Sequence, residues 1–122
     1  MADRNSLTRA TESTDSPTPG YLYNDIAKSV SSSPTACSET ATYLVRRLSS
    51  KQNHNIKYKC LKVIQMVAVN PMTRGQFKRA ISADVGAIGS IKECLNYRGV
   101  ADPVHGDRMY EKVRRQAKET LD

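Results

Sequence analysis

One segment, residues 56–69, constrains the fold more than any other part of the chain. Its apolar side chains wrap most of the way around a helix instead of forming one stripe, and such a helix must be covered by neighbours on several faces. Lys57, Lys59 and Lys62 lie in its first turns, so we expect that end to reach water. The many β-branched residues leave a buried strand as the local alternative. The length of the segment and its helical neighbours favour a helix that ends at Asn70-Pro71.

The flanking segments also show helical patterns. Residues 21–30 carry apolar side chains at helical spacing. Ser33 is a good N-cap and Pro34 suits a first helical position, which predicts a helix from there through Leu48. A polar stretch, SSKQNHN, separates this helix from the apolar segment.

Three further helices are predicted after residue 70. Thr73 and Gln76 form a capping-box pattern, so we expect Thr73 to open a helix. Asp84 or Ser82 then caps a short helix, and Gly99 suits the left-handed position after its end. The last helix carries apolar residues at helical spacing as far as residue 121.

About six helices without a strand signal predict an all-α fold of stacked helical hairpins. The first residues differ from the rest, because they are polar and end in SPTPG, where two prolines and a glycine exclude a helix. We therefore predict a flexible or weakly helical segment over residues 1–16 and one helical domain over residues 17–122. A short helix near Leu7 would have little to bury, since Leu7 and Ala10 are its few apolar residues.

Charge is unevenly distributed along the 122 residues. The chain has 19 Lys and Arg against 12 Asp and Glu, a formal net charge of +7. Residues 1–42 hold three bases and five acids, whereas residues 43–122 hold sixteen bases and seven acids. A basic body indicates an anionic partner or, alternatively, a solvated basic surface. Without a secretory signal or an apolar run of the roughly 20 residues that a membrane span needs, we expect a soluble intracellular protein.

The sequence lacks the motifs of the common enzyme classes. It has no glycine-rich phosphate loop, no HExxH and no GxSxG. The three cysteines are widely spaced among apolar residues, which predicts buried reduced thiols. His105 lies near Asp102 and Asp107, but three residues in one short loop are a weak metal signal. The chain is therefore predicted to be a binding module, not an enzyme, and to need no metal or cofactor.

Several stretches together carry a resemblance to a known family. In chain order they are PGYLYNDIAKSV, a helix ending YLVRRLSSK, KYKCLKVIQMVAV, and ECLNYRGVADPVHGDRMYEKVRRQAKE. Their order and spacing resemble the ENTH/VHS superfamily of vesicle-coat adaptors over residues 15–122, in particular its tepsin-like, epsin-related branch. The resemblance implies an all-α, right-handed superhelix of about six to seven helices.

The resemblance also implies a function. It implies a non-enzymatic accessory role in clathrin- or adaptor-coated vesicle traffic, peripheral on trans-Golgi network or endosomal membranes. The implied partners are coat or adaptor proteins, or the tails of SNAREs and cargo. Epsins also bind phosphoinositides under an N-terminal amphipathic helix. Here Leu7 is the one large apolar residue besides Met1 in residues 1–16, so the inserting face is missing.

The basic residues around one interhelical loop are the candidate surface for an anionic lipid or an acidic partner. Arg47 matches an arginine of the epsin pocket, while the neighbouring bases bracket the same loop. The candidate set is Arg46, Arg47, Lys51, His54, Lys57 and Lys59.

Two alternative functions stay open. One is binding of a phosphoinositide or an anionic membrane through this basic surface, at least as a weak peripheral contact. The other is binding of a phosphopeptide or nucleic acid, as in helical domains of the CTD-interacting type. The absence of an RNA-binding motif and of tryptophan, with only 6% aromatic residues, argues against nucleic acid.

Overall fold

The computed structural model describes residues 4–31, 33–99, 103–104 and 106–121, and every regular element among them is helical. This part of the chain also contains two 3₁₀ turns, Pro71–Thr73 and Cys94–Asn96. No helix in this described part is both long and apolar enough to cross a bilayer. The α-helices are α1 (Arg4–Ala10), α2 (Gly20–Val30), α3 (Pro34–Ser50), α4 (His54–Val69), α5 (Gln76–Ala83), α6 (Val85–Glu93) and α7 (Arg108–Leu121).

Helix α4 is the centre of the packing. It contacts α2, α3, α5 and α7, with smaller contacts to α1. Leu61, Val63 and Val67 are fully buried on it, as expected for a helix whose apolar residues point in several directions. The prediction of a central helix is confirmed, and no part of this segment is a strand.

Side-chain caps fix where three helices begin. The Ser33 hydroxyl accepts a hydrogen bond from the Ala36 amide, and Pro34 opens α3 as predicted. Asn53 caps α4, which therefore starts two residues earlier than the apolar pattern indicates. Of the two caps considered for α6, Asp84 is the one used.

The predicted start of α5 at Thr73 is wrong. Thr73 ends the 3₁₀ turn Pro71–Thr73, and its hydroxyl donates to the Val67 carbonyl at 3.2 Å. Arg74 and Gly75 then have φ values of 50° and 77°. These values lie in the left-handed region, so helical backbone resumes only after them.

Gly99 is required for a different reason from the one predicted. Among the described residues, the glycines with positive φ are Gly75 and Gly106, so Gly99 does not take the expected left-handed conformation. A Cβ built at Gly99 would overlap the ring of Tyr110. Glycine therefore lets the loop approach α7 closely.

The N-terminal residues pack on the helical body. Leu7 and Ala10 are fully buried, and α1 contacts both α2 and α4. The expectation that these residues would bury little is wrong, because even a seven-residue helix covers core when both apolar side chains face inward. The division of the chain at residue 16 stays a prediction.

Candidate functional site

A cationic groove runs along α3. We call it the α3 groove; its volume is about 530 Å³. Most of its lining residues recur at helical spacing on one face of α3, and α1 contributes Arg4. The groove contains four basic side chains and one carboxylate. Its lining is Arg4, Ser38, Glu39, Thr42, Tyr43, Arg46, Arg47, Ser50 and Lys51.

Helix α1 forms one wall of this groove. The Thr8 hydroxyl lies 3.3 Å from the Tyr43 hydroxyl, and Arg47 donates to the Thr11 hydroxyl at 2.8 Å and to the Thr11 carbonyl at 3.0 Å. These contacts connect Thr8 of α1 and the following Thr11 to side chains of α3. Leu7 faces the core and Arg4 faces the groove.

Side chains of α4 form hydrogen bonds with residues 13–15. The Lys59 ammonium donates to the Thr14 carbonyl at 2.8 Å. Asn55 donates to the Ser13 carbonyl at 2.9 Å and to the Asp15 carboxylate at 2.8 Å. Lys59 is only 6% exposed, and this burial lowers its pKa, although the nearby acidic side chains partly oppose the shift.

Lys57 also points inward. It is 7% exposed, and its ammonium donates to the Leu48 carbonyl at 2.7 Å. Leu48 lies in the last turn of α3, where carbonyls have no partner within the helix, so Lys57 acts as a cap from α4. The ammonium also lies 5.5 Å from the centre of the Tyr97 ring. The expectation that the first turns of α4 reach water is therefore wrong for Lys57 and Lys59.

His54 belongs to an aromatic contact on α7. Its ring centre lies 6.4 Å from that of Tyr110, which in turn lies 5.4 Å from Tyr97. His54 does not line the α3 groove. Its place at the start of α4 directs it toward Tyr110 of α7 instead.

The structure thus divides the six predicted site residues. Arg46, Arg47 and Lys51 line the α3 groove, whereas Lys57 and Lys59 are buried and His54 lies elsewhere. Arg47 itself is committed to Thr11, so Arg46 and Lys51 are the exposed bases. Sequence reasoning missed Arg4, and the apolar pair Leu7 and Ala10 was the signal that α1 packs on the helical body, against α2 and α4.

The thiols offer no nucleophile. Cys37, Cys60 and Cys94 are free and buried, as predicted, and burial raises the pKa of Cys60 to about 12. Within the described ranges, no three His, Cys, Asp or Glu side chains are grouped to hold a metal ion. Asp102 and His105, two residues of the weak metal signal, lie outside those ranges.

Comparison with known sequences finds relatives of one kind. No family model matches the chain. The AP-4 complex accessory subunit tepsin of Homo sapiens is 34% identical over 113 residues, 93% of this chain and 20% of that protein. Its Xenopus laevis counterpart is 33% identical over 115 residues, 94% of this chain and 20% of that protein. The chain spans about a fifth of the length of these relatives.

Comparison with solved structures addresses the fold. The NMR structure of a hypothetical ENTH-VHS domain from Arabidopsis thaliana superposes with a TM-score of 0.82 at 23% identity, covering 96% of this chain and 80% of that one. A second NMR determination of that domain gives 0.83 at 24% identity, with the same coverage. These matches confirm the predicted all-α superhelix. The chain therefore has the fold of the ENTH-VHS domains and is similar in sequence to part of the tepsins.

Proposed function

We propose that this domain is a non-enzymatic accessory module of adaptor-coated vesicle traffic and that it acts by binding other proteins. The observation that carries the proposal is the similarity to AP-4 accessory subunits over 93% of the chain. The buried high-pKa thiols fit this role, because they leave binding surfaces rather than reactive groups. Coat or adaptor proteins, SNAREs and cargo tails are the proposed partners, on trans-Golgi network or endosomal vesicles.

A direct binding assay tests this function. The immobilised chain is incubated with purified AP-4 complex, with a second purified adaptor complex, and with the cytosolic regions of SNAREs. We expect saturable capture of at least one of them. Capture of none at micromolar concentrations contradicts the proposal.

Charge reversal then tests whether the α3 groove takes part. Arg46→Glu combined with Lys51→Glu reverses two of its exposed bases. The matched control is Lys92→Glu combined with Lys118→Glu, which makes the same charge change at exposed positions outside the groove. If the groove contacts the partner, the first pair weakens capture and the second does not. Equal loss in both variants would indicate a general charge effect.

Binding of an anionic membrane is the second candidate function, and the α3 groove is the observation that favours it. Each exposed base near an anionic surface contributes about 1 kcal/mol, and salt weakens the attraction. The fully buried Leu7 and Ala10 disfavour insertion, because α1 then has no apolar face for the bilayer. Any membrane contact is therefore proposed to be weak and peripheral.

Vesicle flotation separates the two candidates. Vesicles of neutral lipid are compared with vesicles that contain phosphatidylserine or a phosphoinositide. A membrane role predicts flotation only with the anionic vesicles, lost in the Arg46→Glu, Lys51→Glu variant and at high salt. Failure to float with any vesicle removes this second function and leaves the protein-binding function standing.

A further inference from the structure

A second groove lies where α4, α5, α6 and α7 meet. We call it the α4–α7 groove; its volume is about 320 Å³. This volume is at the lower end of the roughly 300–1,000 Å³ that ligand pockets occupy, so it suits a few side chains of a docked segment. Its floor is aliphatic and consists of Ile64, Ala68, Ile81, Ile88, Ile91 and Leu121.

The rim of this groove leaves apolar surface in water. Val69 is 69% exposed although it belongs to α4, the helix at the centre of the packing. Ala68, Ile88 and Leu121 are only partly buried. A single exposed apolar side chain is common on protein surfaces. A concave cluster of such side chains is more often a binding site.

The two walls of the groove differ in charge. On the α5 wall, Lys78 lines the groove, and Arg79 and the preceding Arg74 are the other ionisable residues of that stretch. On the α7 wall the ionisable lining residue is Glu119. An occupant with a carboxylate beside Lys78 is therefore attracted, and the wall with Glu119 sets its orientation. A second copy of this chain is disfavoured, since each copy carries a net charge of +7.

We propose that the α4–α7 groove docks an acidic amphipathic helix of a partner protein. Two aliphatic side chains one turn apart, which lie about 5–6 Å from each other on a helix, enter the floor. A carboxylate on the same helix faces Lys78. This inference rests on the proposed protein-binding function and names the chemistry of the partner. It involves neither the α3 groove nor any of the basic residues predicted from the sequence.

Synthetic helical peptides test this proposal. The probe is a fluorescein-labelled 14-residue helix with leucines at i and i+4 and glutamates flanking them. One comparison peptide replaces the glutamates by lysines, and another replaces the leucines by alanines. We expect the probe to bind at least about tenfold more tightly than either, because it alone supplies both the apolar anchors and the matching charge.

Variants of the groove locate the binding. Lys78→Glu is expected to reverse the preference toward the lysine peptide, a gain of binding that an unfolded variant could not produce. Val69→Asp places a charge on the exposed rim and is expected to weaken the probe by about five- to tenfold. Lys92→Glu changes an exposed lysine outside the groove and is expected to stay within about twofold of the unaltered chain. Amide shifts on titration should centre on residues 64–69 and 78–91.

Three results would overturn the proposal. The first is equal affinity of the glutamate and lysine peptides; the second is amide shifts centred on Arg46 and Lys51. The third is concentration-dependent shifts at Val69 without peptide, which would mean that a second copy occupies the groove. If the probe binds in the α4–α7 groove but no coat or SNARE protein is captured, the proposed function is contradicted and the groove proposal is supported. If coat proteins are captured but the probe does not bind, the groove proposal alone fails.

Discussion

The two halves of α4 are both largely covered by neighbouring helices, yet they are covered in different ways. In the first half Lys57 and Lys59 are 7% and 6% exposed, and their ammonium groups donate to backbone carbonyls of other segments. In the second half Ile64 and Val67 are buried among aliphatic side chains. The two lysines of the first half therefore join segments by hydrogen bonds, whereas Ile64 and Val67 of the second half join them by apolar contact.

This difference shows that a lysine in the first turns of a helix can be buried and can form hydrogen bonds inside the protein. A long methylene stem can be buried while the ammonium keeps a polar partner, and burial without one would cost several kcal/mol. No buried side-chain nitrogen or oxygen in the described residues lacks a hydrogen bond. Basic residues around the α3–α4 loop are thus partly structural, and the exposed remainder, Arg46 and Lys51, is the part left for partners.

The largest expected effect is in the apolar half. Ile64→Ala removes buried aliphatic volume and is expected to lower the free energy of unfolding by about 2–5 kcal/mol, whereas Ile64→Val should cost about 0.5–1.5 kcal/mol. Urea denaturation measures both. Equal effects for the two variants would mean that this half is not closely packed.

The next effect is in the polar half. Lys57→Met keeps an apolar stem but removes the ammonium, leaving the Leu48 carbonyl without this donor. A hydrogen bond to a charged group contributes about 1.5–3 kcal/mol, so we expect a loss of that size. Lys62→Met, at a half-exposed position five residues along, should change stability by less than about 0.5 kcal/mol. Unchanged or increased stability in Lys57→Met would contradict the capping role.

A smaller and more local effect is expected at Lys59. Lys59→Met removes the bond to the Thr14 carbonyl and should destabilise the chain by about 1–2 kcal/mol. Amide hydrogen exchange should accelerate in residues 4–18 more than in α5 or α6, because the lost contact holds only the first segment. This experiment also tests the predicted boundary at residue 16. Uniform acceleration along the chain would mean that residues 4–18 unfold together with the body.

The smallest effect is a pH dependence. Burial lowers the pKa of Lys59 below its ordinary 10.5, so at a pH between the folded value and 10.5 the unfolded state binds the extra proton. Stability then rises with pH across that window. The difference in stability between the unaltered chain and Lys59→Met should therefore shift in favour of the unaltered chain as pH approaches 10.5. A shift in the opposite direction would mean that Thr14 stabilises the ammonium more than burial disfavours it.

Much of the fold could be predicted because its signals are local. The Ser33-Pro34 cap and the Asn70-Pro71 stop act through neighbouring residues, and both are confirmed. The start of α5 could not be predicted, because the left-handed backbone at Arg74 overrides the capping-box pattern. The role of Gly99 depends on Tyr110, eleven residues away in the chain.

Less of the site could be predicted, because exposure of a long basic side chain depends on distant carbonyls. The partners of Lys57 and Lys59 lie 9 and 45 residues away in sequence, and no spacing within α4 indicates them. Arg4 was missed since its helix shows only two apolar residues. The α4–α7 groove was missed because its floor comes from four helices, each with an ordinary core pattern.

The central claim is that the predicted basic surface is divided between the interior and the α3 groove. Lysine labelling tests this claim most directly. The folded chain is treated with a small acetylating reagent, and the rate at each lysine is read by mass spectrometry. The account predicts that Lys51, Lys78 and Lys92, which are exposed, react at least about tenfold faster than Lys57 and Lys59, whose amines become accessible only through opening of the structure. Equal rates at all five lysines would contradict it.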